Sequence, residues 1–389
     1  MTERRLVVVV GAIVFVDTMF YAAIAPLLPT LAHELHLSKL SAGVMTASYP
    51  LGTLLGSIPG GMLAARAGPK TAVCTGLALL AGSTLAFGFL HNALLLDVAR
   101  LIEGIGGACS WAGGIAWIAS ETPPGRRGAL IGGALGAAIG GALFGPLIGT
   151  IATAAGRAPT FSGVVIVAIA LIVVARRLPS SHTPSDQGVG HVRDALRSWV
   201  ILTGMWLVAL PAVASGAINV LAPLRIHRLG GSAAMVGAAF LVAAAVEAVL
   251  SPLIGRVSDR LGRLVPLRFG LAAASALLLC FTLPTTPAGL GTLVVATAAA
   301  LGVFWAPAMA MLSDAAEERG LDQGLAAALM NLAWAGGQIL GSGAGGAIAK
   351  TAGDGLPFAI TSGLCAATLL TLVTRPRTEA GRETHEMVR

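Results

Sequence analysis

Residues 132–149 read GGALGAAIGGALFGPLIG, seven glycines and one proline among otherwise apolar residues. In water this would be a poor helix, since each Gly costs ~1 kcal/mol relative to Ala and an interior Pro ~3 kcal/mol. A bilayer offers no water to a free backbone, so an apolar segment of this length is driven to be helical and its glycines serve close helix contact. Gly141, Gly145 and Gly149 fall at four-residue steps on one smooth stripe, and Pro146 removes a helix hydrogen bond and permits a bend. Read this way, the stretch is a membrane span, and the rest of the chain follows suit.

The 389 residues are 56% hydrophobic and only 11% charged, against roughly 25% charge in soluble domains. Apolar windows of about 20 residues occur at twelve places: 6–31, 41–63, 71–90, 93–119, 128–155, 159–175, 199–223, 232–254, 264–283, 288–312, 324–349 and 355–374. An all-α membrane protein of twelve spans is expected. The net charge of +7 needs no nucleic acid to explain it. With both termini cytoplasmic, 19 of the 25 Lys and Arg fall on the cytoplasmic side, Lys39, Arg157, Arg225, Arg228 and Lys350 fall outside, and Arg100 lies within the membrane. That bias predicts the orientation by the positive-inside rule. The first apolar stretch runs past the length of a signal peptide, and its only small-x-small site, Ala23-Ile24-Ala25, precedes Pro26, so a retained first helix is expected. Cys74, Cys109, Cys280 and Cys365 all fall within predicted spans and read as packing residues.

The chain repeats itself. Gly61, Arg66 and Gly68 in GMLAARAGPK correspond to Gly255, Arg260 and Gly262 in GRVSDRLGRL, an offset of 194; Arg127, Gly128, Gly132, Gly145 and Gly149 correspond to Arg319, Gly320, Gly324, Gly337 and Gly341, an offset of 192. Two pseudo-symmetric six-helix bundles are therefore predicted, 1–177 and 199–374, with a cytoplasmic linker at 178–198 and a cytoplasmic tail at 375–389. Parallel repeats of this kind occur in transporters that rock about a midplane site.

Intramembrane charges are costly, ~2.5 to 3.5 kcal/mol each on insertion scales, and mark pathways and proton relays. Four stand out. Asp17 has Phe20 and Tyr21 at i+3 and i+4, and a carboxylate beside aromatic rings suits a cation. Arg100 and Glu103, one turn apart, form a candidate pair that an arriving proton or substrate can break. Glu247 has no basic partner in its own span; it is either a proton site or the partner of Arg256 or another loop base. Tyr49, Trp111, Trp305 and Trp334 are candidate cavity residues, and Trp305 stands before Pro307 near an expected helix break. Asn219, Asn331 and Gln338 are candidate substrate contacts that serve equally well as helix ties.

The motifs resemble those of the major facilitator superfamily, in its twelve-helix drug:proton antiporter branch, over essentially the whole chain. The family's loop motif Gly-x-x-x-Asp-Arg-x-Gly-Arg is complete as Gly255, Asp259, Arg260, Gly262 and Arg263, and degenerate in the first half, where Ala65 replaces the Asp and Pro69 a basic residue. Gly132, Gly141, Gly145, Pro146 and Gly149 match its antiporter motif, and Arg100 with Gly104 and Gly106 its helix 4 element. The resemblance implies that the glycine stripe abuts the other half and controls rocking. ARLIEGIGGACS (99–110) and GSGAGGAIAK (341–350) resemble the vesicular monoamine and acetylcholine transporters, and Asp17 matches the first-helix acid that this group uses for cationic amines. The chain departs from that group at Asn331 and in mid-helix 10, where relatives carry acids, and lacks the long glycosylated first lumenal loop.

The expectation is a proton-coupled antiporter of the bacterial inner membrane, a monomer needing no metal or cofactor, that exports cationic amines or lipophilic drugs. A sugar or metabolite exporter using amides and tryptophans is the first rival. A non-transporting receptor, favoured by the degenerate loop motif, is the second. No His, metal-ligand cluster or nucleophile-base arrangement lies within the spans, which argues against an enzyme.

Overall fold

Polar side chains at the helix starts set the frame: Ser38, Asn92, Ser232 and Thr286 accept hydrogen bonds from the backbone N–H groups of Ser41, Leu95, Met235 and Gly289, capping four helices. The computed structural model describes residues 2–122, 124–180, 189–321 and 323–374. Its helices are α1 (Thr2–Glu34), α2 (Lys39–Ala67), α3 (Pro69–Phe89), α4 (Ala93–Glu121), α5 (Pro124–Ala155), α6 (Arg157–Arg177), the short α7 (Val189–Ala195), α8 (Trp199–Arg228), α9 (Ala233–Leu261), α10 (Leu264–Leu279), α11 (Pro287–Glu317), α12 (Gln323–Ile339), α13 (Gly345–Ala352) and α14 (Gly355–Thr374). A π-helical turn at Leu340–Ala344 joins α12 to α13 as one rod. Within it the Ser342 hydroxyl donates to the Gln338 carbonyl at 2.6 Å.

Among the described residues, nine helices are long and apolar enough to cross a bilayer on composition alone. The remaining spans are α2, α4 and the α12–α13 rod. Glycines and serines make α2 less apolar, Asp97, Arg100 and Glu103 do so in α4, and the π turn divides the rod into helices of 17 and 8 residues. The fold is thus twelve spans in two pseudo-symmetric bundles, all-helical as expected. The symmetry reaches the backbone: the α2–α3 corner turns on Gly68 at φ 95° and the α9–α10 corner on Gly262 at φ 84°, conformations that favour glycine. An even number of crossings puts both chain ends on one face with these two corners; we call it the basic face. The expected linker contains α7, while residues 181–188 and 375–389 lie outside the described residues.

One expectation is corrected. The Gly141, Gly145 and Gly149 stripe does not abut the other half; it packs on α1 of its own bundle. A Cβ at Gly141 would strike the Phe15 carbonyl, one at Gly145 the Ala22 methyl, and one at Gly149 the Ala23 carbonyl. The repeat does the same, Gly337 and Gly341 lying on the Ala209 and Val213 carbonyls of α8. The smooth stripe serves α1 because the two backbones meet over its full length. The other half is reached from the adjoining side of α5, where Gly237 of α9 sits against Thr150 and the Pro146 carbonyl.

The halves also meet along α2 and the α12–α13 rod. On the face opposite the basic one, Gly43 lies against the backbone of Ser342 and Gly346, and Gly346 against the Lys39 carbonyl. There Lys39 donates to Asp354 at 2.6 Å, and Arg228 also pairs with this carboxylate, with Arg225 4.0 Å away. Burial would raise the Asp354 carboxyl, but its hydrogen bonds from Lys39 and Arg228 outweigh burial and hold it below the ordinary value.

Candidate functional site

Asp17 lies at mid-depth of α1 and is 1% exposed. Its carboxylate is held from two helices: the Tyr49 hydroxyl of α2 donates to Oδ1 at 2.9 Å and Oδ2 at 3.0 Å, and the Trp111 indole of α4 donates to Oδ2 at 2.9 Å. Gly107 makes the room, for a Cβ there would stand 2.6 Å from both Asp17 Oδ1 and the Tyr49 hydroxyl. Around this acid the rings of Tyr21, Tyr49 and Trp334 pack with centroids 5.1, 5.2 and 6.4 Å apart. Trp334 comes from α12, so the ring cluster spans both halves. Asn219 of α8 closes it, its amide donating to the Tyr21 hydroxyl at 3.2 Å.

Arg100 lies behind Tyr49. Its guanidinium carbon is 5.2 Å from the centre of that ring, and Nη1 donates to Glu103 Oε2 at 3.3 Å and to the Phe20 carbonyl at 3.4 Å. The chain Asp17–Tyr49–Arg100–Glu103 therefore joins three charged groups of the first half through one buried tyrosine, by direct contact. An acid inside an aromatic enclosure can hold an organic cation by charge and by the ring faces; a carboxylate paired to Arg beside it can accept a proton.

The other sequence candidates lie elsewhere. Phe20 turns away from the ring cluster toward Phe161 of α6, 5.8 Å between centroids. Gln338 is buried with Oε1 beside Gly216 of α8 and unpartnered. Asn331 is half-buried on α12, one turn before Trp334. Glu247 packs against α11, its Cγ 3.2 Å from where a Gly302 Cβ would be, and among the described residues no salt bridge joins it to Arg256. Arg263 pairs with Asp314 at the end of α11. Gly61 is buried in α2, Arg66 ends that helix, and Gly255 and Arg260 lie in the last two turns of α9. Gly132 lies in the first half of α5, and the side chains of Asp259 and Trp305 lie outside the described residues. Two features escaped sequence reasoning: the Gly107 clearance, hidden in a glycine-rich run, and the Lys39–Asp354 bridge, whose partners stand 315 residues apart.

The fold and site define a class: a membrane bundle of two like halves with a polar, aromatic-lined junction between them. The chain belongs to the Major Facilitator Superfamily, whose family profile matches residues 10–321 and 205–388. The synaptic vesicular amine transporter of Bos taurus is 26% identical over 323 residues, 81% of this chain and 62% of that protein. The quinolone resistance protein NorA of Staphylococcus aureus is 29% identical over 110 residues, 28% of each chain. The MFS-type transporter ppzB of Metarhizium majus is 28% identical over 124 residues, 30% of this chain and 27% of that one. The chain thus spans from about a quarter to three fifths of the length of these curated relatives. Among solved structures, a D-xylose-proton symporter superposes with a TM-score of 0.78 at 18% identity, covering 96% of this chain and 98% of that one. A bacterial homologue of the human lysosomal transporter Spinster gives 0.74 at 15% identity, covering 96% and 95%. At these identities the structures speak for the fold alone.

Proposed function

We propose that the protein is a proton-coupled antiporter that exports cationic amines or lipophilic cations by alternating access, with both termini cytoplasmic. The observation that carries this reading is the buried Asp17 carboxylate inside the Tyr21, Tyr49, Trp111 and Trp334 enclosure at the junction of the halves. A cation entering from the basic, cytoplasmic face pairs with Asp17 and the ring faces, the halves rock, and an external proton brings about release. Arg100, Glu103 and Glu247 are the further groups assigned to proton coupling. The relatives named for amines and for quinolone resistance agree with this chemistry. A neutral metabolite exporter is the rival, and the Asn219 and Gln338 amides are what favour it.

The test is proton flux in proteoliposomes under an imposed pH gradient, with tetraphenylphosphonium, lipophilic amines and neutral sugars added in turn to the wild type and Asp17→Asn. Proton release on adding cations, lost in Asp17→Asn, is expected. Release with sugars that survives the substitution would replace this reading with the neutral-substrate one.

A further inference from the structure

Beside the Arg100–Glu103 pair, the first bundle holds a small, partly open cavity of about 10 Å³ among α1, α3, α4 and α6. Its walls are mostly apolar and aromatic, with Phe20, Phe87 and Phe161 among them, but three polar side chains also line it: Thr84, Arg100 and Glu103. Each of these is at least nine-tenths buried. Each has an atom without a protein partner: Thr84 Oγ1, Arg100 Nε and Nη2, and Glu103 Oε1. For Thr84 this is unusual within the molecule, since Thr46, Thr361 and Thr368 all donate to the carbonyl four residues back. Four orphaned donors and acceptors around one cavity the size of a water molecule make a built polar site.

The geometry points to a division of labour that rests on the reading of Asp17 as the cation site. We propose that the coupled proton is held on Oε1 of Glu103, delivered through a water bound between Thr84 and Arg100, and that it never competes with the cation for Asp17 itself. The step balances simply: a hydronium ion gives one proton to the carboxylate, one O–H bond forms, and water is left. Protonated Glu103 no longer neutralises Arg100. The guanidinium, stacked on the Tyr49 ring whose hydroxyl bonds Asp17, then presents its whole charge to Asp17 and expels the bound cation. Release of the proton reverses each step.

The charged and titratable groups facing Glu103 are few. From α1 come Asp17 and Tyr21, from α2 Tyr49, and from its own helix Arg100 and, farther out, Asp97. Arg157 of α6 lies 6.0 Å from the Phe87 ring that forms the cavity wall. At this level α3, α5 and α12 carry no charged residue.

Equilibrium binding of tetraphenylphosphonium, a cation that does not itself titrate, to the full-length protein in detergent across pH 5.5–8.5 tests the inference. In the wild type, binding is expected to weaken by about tenfold per pH unit on the acid side, the slope of one linked proton. Glu103→Gln, a mimic of the protonated state, is expected to bind weakly at every pH with no slope, and Asp17→Asn to bind not at all. A wild-type slope in Glu103→Gln, with binding lost in Asp17→Asn, would overturn the proposal and place the proton on Asp17. Binding unaffected by Asp17→Asn would overturn the cation-site reading beneath it. Thr84→Val guards against a Gln variant that does not fold: it is expected to displace the midpoint of the pH dependence, and an unmoved midpoint also counts against the proposal.

Discussion

Two donors and a missing methyl hold the central acid. Tyr49 and Trp111 aim O–H and N–H at one buried carboxylate, and Gly107 leaves the space in which they meet. Hydrogen bonds to a charged group contribute about 1.5–3 kcal/mol each. Tyr49→Phe is therefore expected to lower the thermal stability of the detergent-solubilised protein by about that amount, read from its unfolding transition. Gly107→Ala pushes the Tyr49 hydroxyl off the acid and is expected to cost about tenfold in tetraphenylphosphonium affinity, the equivalent of ~1.4 kcal/mol. Asp17 was legible in the sequence because charges are rare inside a membrane; Tyr49, Trp111 and Trp334 were legible only as candidate rings, among which the sequence favoured Trp305. The place of Phe20 was not legible. Positions i+3 and i+4 lie about 100° apart around a helix, on either side of Asp17, so Tyr21 takes the junction and Phe20 the interior of its own bundle.

Among the elements, the glycine stripe of α5 makes the broadest seam of the first bundle, against α1. Its spacing announced a helix contact but not with which helix, because a backbone-close surface fits any partner and only the three-dimensional order of the bundle chooses. The internal repeat removes that ambiguity after the fact: Gly337 and Gly341 meet α8 as Gly145 and Gly149 meet α1. Gly145→Leu is expected to wedge α1 from α5 and destabilise the protein by about 1–3 kcal/mol, as overpacking does, measured as a lowered melting temperature in detergent. If the stripe instead governed the contact between halves, the same variant would alter conformational exchange and leave stability intact. The broken rod α12–α13 was legible only as a span, since no residue pattern in Leu340–Ala344 distinguishes a π turn from an α-helix.

At the scale of the molecule, one buried carboxylate ties the halves together on the face away from the basic corners. Asp354 draws Lys39 from the first half and Arg228 from the second. Because its carboxyl is held below the ordinary value of 3.8, the latch contributes fully above that value and is lost only as the pH falls through the lower, folded one. The latch is thus indifferent to pH in the range where coupling is expected to operate. Spin labels at Leu40→Cys and Lys350→Cys, both on this face, are expected to give the same short distance at pH 8 and pH 5.5, and a second, longer population on adding Asp354→Asn. A pH-driven lengthening with Asp354 intact would show that other groups set the latch.

The seam beneath that latch is backbone laid on backbone, with Gly43 against Gly346 and no side chain between them. Side chains could swing aside one at a time and leave a partial gap; two apposed main chains can only part together. With main chain apposed to main chain there, a planar bilayer carrying the protein is expected to stay electrically silent to small inorganic ions.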